Sequence, residues 1–255
     1  MSEEQLEESS LISHLIELRD RLLRMVIAVF VVLLGLFPFR QEIYTYLAAP
    51  LRKHLPEASS MIAIDPASTF LAPFKMVLML AVVVCIPFLL HQVWSFIAPG
   101  LYQREKKFAI PLLVSSVVLF YTGMAFAYFI VFPLVFGFFV SEAPFGVAVM
   151  TDISRYLDLV IKLFFAFGLS FEVPIATYLV VSAGLVEVET LKKSRPYVIV
   201  AAFVIGMLLT PPDIISQILL AIPIWILFEV GLFFARNIKL EPQNDEVSEP
   251  ANSAD

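Results

Sequence analysis

Residues 109–140 read AIPLLVSSVVLFYTGMAFAYFIVFPLVFGFFV, thirty-two residues without a single charge. As an α-helix this run would reach about 48 Å at 1.5 Å per residue, against a bilayer hydrocarbon core of roughly 30 Å. No face of it is polar enough to meet water, and it is too long for a barrel strand. In hydrocarbon every backbone N–H and C=O must be satisfied within the segment, so the run is a transmembrane helix that tilts, bends near Pro133 or projects past the bilayer. Working outward from it, comparable apolar runs lie at 22–39, 74–97, 156–183, 196–210 and 214–235, each bounded by charges or by Pro and Gly. With 109–136 as the core of the third, the expectation is an all-α integral membrane protein of six helices. The layout is an N-terminal segment 1–21, a transmembrane domain 22–235 and an acidic tail 236–255.

The composition agrees. Sixty per cent of the 255 residues are hydrophobic and 16% charged, where soluble domains have roughly 45–50% and about 25%. Much of the net charge of −6 sits at the two ends, in SEEQLEE and EPQNDEVSEPANSAD, which read as solvated and disordered. The acidic start does not resemble a cleaved signal peptide, so the first helix is expected to remain.

Orientation follows from Lys and Arg, which concentrate in cytoplasmic loops. With the N-terminus inside, Arg19, Arg21, Arg24, Arg104, Lys106, Lys107, Lys192, Lys193, Arg195, Arg236 and Lys239 are cytoplasmic, while Arg40, Arg52, Lys53 and Arg155 lie outside. Eleven against four places both termini in the cytoplasm. The fifth run, Pro196 to Leu209, reaches only about 21 Å as a helix, so local thinning of the bilayer beside helices five and six is expected.

The sequence holds no GxxxxGK loop and no HExxH pair; His14, His54 and His91 are scattered, and Cys85 is the only cysteine. Nothing here points to a nucleotide, a metal or another cofactor, and no enzyme is expected.

A few polar residues need a reason to be where they are. Glu172, in GLSFEVPIA, lies well inside the fourth run, where an unpaired carboxylate costs at least about 2.5 kcal/mol. It faces protein, water or a partner, either as a functional group or in a structural hydrogen bond. Pro174 just beyond it removes a backbone donor and suggests a helix break. Asp158 and Lys162 have the spacing of an intrahelical pair. TPPD at 210–213 is a tight turn whose Asp213 can cap the next helix. Thr210 and Gln217 flank that turn, either satisfying each other or binding a partner helix. Glu229 is explained by snorkelling to the interface. On the cytoplasmic side, Glu17 in HLIELR (14–19) and Glu105 in PGLYQREKK (99–107) are carboxylates on neighbouring short segments. They can be ordinary solvated charges, or together they can receive a cationic peptide, since each accepts a guanidinium fork.

HLIELR, FIAPGLYQREKK (96–107), FEVP (171–174) and TPPDIISQILLAIPIWILFE (210–229), in this order within six spans, resemble the TatC family, the multi-spanning receptor subunits of the twin-arginine protein translocase. The resemblance covers nearly the whole chain apart from the acidic tails. It implies a cup- or wall-shaped fold with helices five and six short. It also implies binding of precursors whose signal peptides carry paired arginines, assembly with TatA-like and TatB-like single-span partners, and export of folded cargo across the bacterial inner membrane, driven by the proton gradient. On matching motifs, Glu17, Arg19, Phe96 and Glu105 would form the signal-binding surface. Glu172 would be the family's buried carboxylate. Met207, Thr210 and Gln217 would lie where partner helices dock, and Pro50 and Phe70 would serve the external cap and assembly contacts. The main rival is a proton-coupled secondary transporter of a small solute using Glu172, although no internal repeat supports it.

Overall fold

A computed structural model describes residues 3–46, 62–97, 109–141, 150–209 and 214–236. The described residues are overwhelmingly helical. The first span is α1 (Glu3–Leu36), followed by a 3-10 turn (Phe37–Phe39) around Pro38 and a helical stretch over 40–46. The second is α2 (Ser68–Ile97). The third comprises α3 (Ala109–Phe126), a π-helical turn (Ala127–Val131) and α4 (Phe132–Ser141). The fourth is α5 (Ile153–Ser170) and α6 (Val173–Ser182). A short α7 (Val188–Lys193) leads into the fifth, α8 (Arg195–Leu209), and the sixth is α9 (Ile214–Ala235). Five of these spans are long and apolar enough to cross a membrane, and the fifth is shorter. The six apolar spans match the expected fold class.

Prolines shape the spans through the donors they lack. Pro87 cannot bond the carbonyl of Val83 within α2, and the Tyr121 hydroxyl of α3 donates to that carbonyl at 2.9 Å, tying the two helices together. The π-helical turn falls just before Pro133, so the long third run is distorted where its proline required. The fourth span breaks at Phe171–Glu172, immediately ahead of Pro174.

The core gathers around α5. Tyr156, Leu157, Val160, Leu163 and Phe167 are fully buried at helical spacing and meet Met76 of α2 and Phe132 of α4. Two glycines bring α3 and α5 into contact. A Cβ at Gly123 would stand 2.5 Å from the Phe167 carbonyl oxygen, and one at Gly168 would stand 2.7 Å from the Phe120 ring. Small residues at such crossings let helix backbones approach where lipid offers no hydrophobic drive. Farther along, α6 packs on α9 at Gly231, and α8 packs on α9. α1 leans on α2 and turns Val26, Ile27, Phe30, Val31 and Leu34 outward, each more than half exposed, as a lipid-facing stripe.

Several expectations are corrected. α1 begins at Glu3, not at 22, so the acidic N-terminal stretch continues the first helix instead of being irregular. The tail from 237 onward lies outside the described residues. Asp158 does not pair with Lys162. Its carboxylate accepts from Lys75 Nζ at 2.7 Å, because its side of α5 faces α2, while Lys162 is exposed. Glu229 is not left to snorkelling but pairs with Arg195 at 2.7 Å, linking the start of α8 to α9.

Candidate functional site

The end of the molecule where α1 starts and α2 finishes brings two of the sequence-predicted residues together. His14 stacks on Phe96, with ring centroids 4.3 Å apart. One turn along α1, Glu17 Oε1 accepts from Arg21 at 2.9 Å (Nε) and 2.6 Å (a terminal guanidinium nitrogen). The Arg21 guanidinium also donates to the Ser95 carbonyl at 3.2 Å and, weakly, to Gln92 Oε1 at 3.4 Å. Gln92 is buried and Arg21 is 19% exposed, whereas Glu17 remains 39% exposed. The sequence dictates this: Glu17 and Arg21 are one helical turn apart, and His14 lies one turn earlier on the same stripe. The result is an open carboxylate edge beside an aromatic pair. Glu17 Oε2 accepts no bond among the described residues.

Arg19 is not drawn into this group. Two positions from Glu17, it points to another side of α1, is 66% exposed and pairs with Asp20 at 2.8 Å. Glu105 lies outside the described residues. Arg21 and Gln92 were missed by sequence reading. The first had a readable signal in its spacing from Glu17; the second, 71 positions from Arg21, had none.

Glu172 occupies the break between α5 and α6. Its Oε2 accepts from the Ser116 hydroxyl of α3, while its Oε1 is buried without a hydrogen-bond partner among the described residues. The break itself is hydrogen-bonded: Glu172 N–H donates to the Leu169 carbonyl at 3.0 Å, and the Glu172 carbonyl accepts from Ala176 N–H at 2.9 Å. The carboxylate is therefore anchored on one oxygen and unsatisfied on the other, an arrangement that leaves an acceptor for an incoming donor.

On α8 and α9, Gln217 Nε2 donates to the Phe203 carbonyl at 2.8 Å, which closes the short α8 against the full-length α9. Met207 is 51% exposed; Thr210 lies outside the described residues. At the opposite end from Glu17, Phe70 is 60% exposed and stacks with Phe74 at 6.5 Å, while Pro50 lies outside the described residues. There Ile62 pairs with the start of α5 through Ile62 N–H to the Thr151 carbonyl at 3.1 Å and Ile153 N–H to the Ile62 carbonyl at 3.0 Å. This fastens Ile62, just ahead of α2, to the start of α5. In α7, Glu189 accepts from Lys192, whose hydrogen bond and charge hold its carboxyl below the usual range. Among the described residues no group of three or more His, Cys, Asp or Glu could hold a metal.

Comparison with known proteins bears on what these sites do. Residues 13–223 match the family model described as Sec-independent protein translocase protein (TatC). The chain is 59% identical over 233 residues to the Sec-independent protein translocase protein TatC of Azotobacter chroococcum mcd 1, covering 91% of each. It is 57% identical over 226 residues to the protein of the same name from Escherichia coli K12, covering 89% of this chain and 88% of that one. Among solved structures, the crystal structure of the twin arginine translocase receptor TatC superposes with a TM-score of 0.78 at 38% identity, covering 88% of this chain and 98% of that chain.

Proposed function

The chain belongs to the TatC family of Sec-independent protein translocase proteins, and from that premise we propose that its α1–α2 end is the receptor surface for twin-arginine signal peptides. Family membership sets aside the small-solute transporter. The observation that carries the proposal is the pairing of an exposed carboxylate edge, Glu17, with the His14–Phe96 stack on one surface. Carboxylates recognise guanidinium forks bidentately, and aromatic faces suit the flanking apolar residues or a second cation. Glu105 and Arg19 complete the surface in this reading, with Glu105 facing the second arginine.

The orientation that goes with it puts both termini in the cytoplasm of a bacterium and the Ile62–Asp152 pairing outside, as the excess of cations at the α1–α2 end supports. TatA-like and TatB-like single-span proteins dock along Met207, Thr210 and Gln217, where an exposed apolar face borders polar groups. Pro50 and Phe70 serve the external cap and assembly contacts. Glu172 offers an unsatisfied oxygen to a donor arriving within the membrane. The protein acts as a receptor and not as an enzyme, with the proton gradient driving export of folded cargo.

The test is photocrosslinking from a probe at position 105 to a twin-arginine precursor and to one whose arginines are replaced by lysine. Crosslinking of the first alone is expected. Absence of any crosslink from a correctly inserted receptor would remove the signal-binding assignment.

A further inference from the structure

One oxygen of the carboxylate offered to the signal peptide is already occupied by an arginine of the same helix, so a guanidinium fork that takes both oxygens must displace that arginine from Oε1. Both N–H donors on one edge of the Arg21 guanidinium converge on Glu17 Oε1, at 2.9 and 2.6 Å, the oxygen that a bidentate incoming arginine would share with Oε2. The rest of the same guanidinium is held by α2, through the Ser95 carbonyl and buried Gln92. An arginine shared in this way keeps acceptors when its carboxylate partner is taken.

We propose that Arg21 is a resident competitor for the signal-binding carboxylate, a built-in stand-in that a signal arginine displaces on docking and that α2 retains while displaced. This inference rests on the proposed role of Glu17 in signal binding. Three consequences follow. Self-occupancy lowers the affinity for every cationic peptide that needs Glu17, so a stray basic segment with one weak contact stays unbound, and a ligand with a second contact is needed to complete the exchange. The number of charge-assisted bonds on Glu17 is nearly conserved in the exchange, so docking is reversible. Finally, Gln92 and Ser95 reduce the cost of displacement, since without them a cation only 19% exposed would lose its partner.

A purely structural role for Arg21, as a strut between α1 and α2, predicts something different. Removing either end of a strut loosens the same surface and weakens binding in both cases. Competition predicts opposite signs. Arg21→Gln should raise affinity for a twin-arginine signal peptide by roughly two- to tenfold, spanning an ordinary exposed pair at this spacing and a charge-assisted fork. Gln92→Leu, which changes no charge, should lower it, because the Gln92 contact, long at 3.4 Å while Arg21 holds Glu17, is the acceptor that shortens onto Arg21 once Glu17 is taken.

The experiment measures binding of a fluorescent twin-arginine peptide to the full chain in lipid nanodiscs, for wild type, Arg21→Gln, Arg21→Lys, Gln92→Leu, Glu17→Gln and the Glu17→Gln/Arg21→Gln pair. Arg21→Lys keeps the charge but loses the fork, so it should shift affinity in the same direction as Arg21→Gln by a smaller factor; it also carries the test if Arg21→Gln fails to fold. In the Glu17→Gln background the gain from Arg21→Gln should vanish, whereas general repulsion between Arg21 and the peptide would leave it intact. Weakened binding in both Arg21 variants and in Gln92→Leu would overturn the competitor and leave a strut. Failure of the wild type to bind, or equal binding by wild type and Glu17→Gln, would instead remove the signal-binding role of Glu17, a separate result.

Discussion

Two carboxylates on this chain, Glu17 and Asp158, have the same chemistry and opposite expected importance. Glu17 shares its Oε1 with Arg21 in a side chain that remains 39% exposed. Asp158 meets Lys75 at 2.7 Å in a pair whose side chains are 47% and 42% exposed. Half-exposed pairs contribute little, on the order of 0–1 kcal/mol. Asp158→Ala should therefore leave peptide binding unchanged and shift the unfolding midpoint by a few degrees at most, while Glu17→Ala should abolish twin-arginine binding. Titrating both variants with the same fluorescent peptide checks this; matching losses would move the site off α1. At this scale sequence reading was uneven. Glu17 was legible as a carboxylate among cations at the membrane surface, whereas its partner Arg21, one helical turn on, was passed over although its spacing carried the signal. The Lys75–Asp158 pair was not, since an i,i+4 partner at Lys162 satisfied the same pattern and only tertiary packing chose between them. Glu172 was legible as a carboxylate needing a partner, but its hydrogen bond from Ser116, 56 positions away, left no trace in local sequence.

Elements were more legible than pairs. Long uncharged runs set where the spans lie, because lipid tolerates only helices there, and Pro133 and Pro174 marked the two distortions. The start of α1 was misjudged because an acidic polar stretch resembles a tail, whereas Glu and Leu are good helix formers and the helix simply continues into the span. How the spans pack was visible only in the structure, and glycine is where it can be tested. Gly123 has a backbone carbonyl where its Cβ would sit, while Gly137, also within the third span, has nothing within 4 Å. Gly123→Ala should push α3 off α5 and cost about 1–3 kcal/mol, as overpacking does. Gly137→Ala should be neutral or stabilise by up to about 1 kcal/mol through helix propensity. Thermal unfolding of the two variants in one detergent should show a loss for Gly123→Ala alone; an unchanged or raised midpoint for Gly123→Ala would mean that α3 and α5 can part without loss.

At the scale of the whole molecule, the spans are unequal. α8 has 15 residues and reaches about 22 Å, and Gln217 binds it to α9 through the Phe203 carbonyl. The third span, over Ile110–Phe139, is 30 residues long. A bilayer meeting both must thin on one side, thicken on the other, or tilt the longer helix. Tilting relieves only excess length, so the deficit at α8 has to be met by the lipid or by a partner helix. Spin labels at Val200 and Val204 on α8, and at Val118 and Phe129 on the third span, all sit on exposed side chains and report depth by their collisions with dissolved oxygen and a water-soluble nickel chelate. The greatest depth reached along α8 should be smaller than along the third span. Adding a single-span partner that docks at Met207 should lower oxygen access on α8 without deepening its labels. Equal depths on both spans in the isolated receptor would mean that the membrane is not thinned here, and that the short helix is accommodated by drawing its flanking residues into the core.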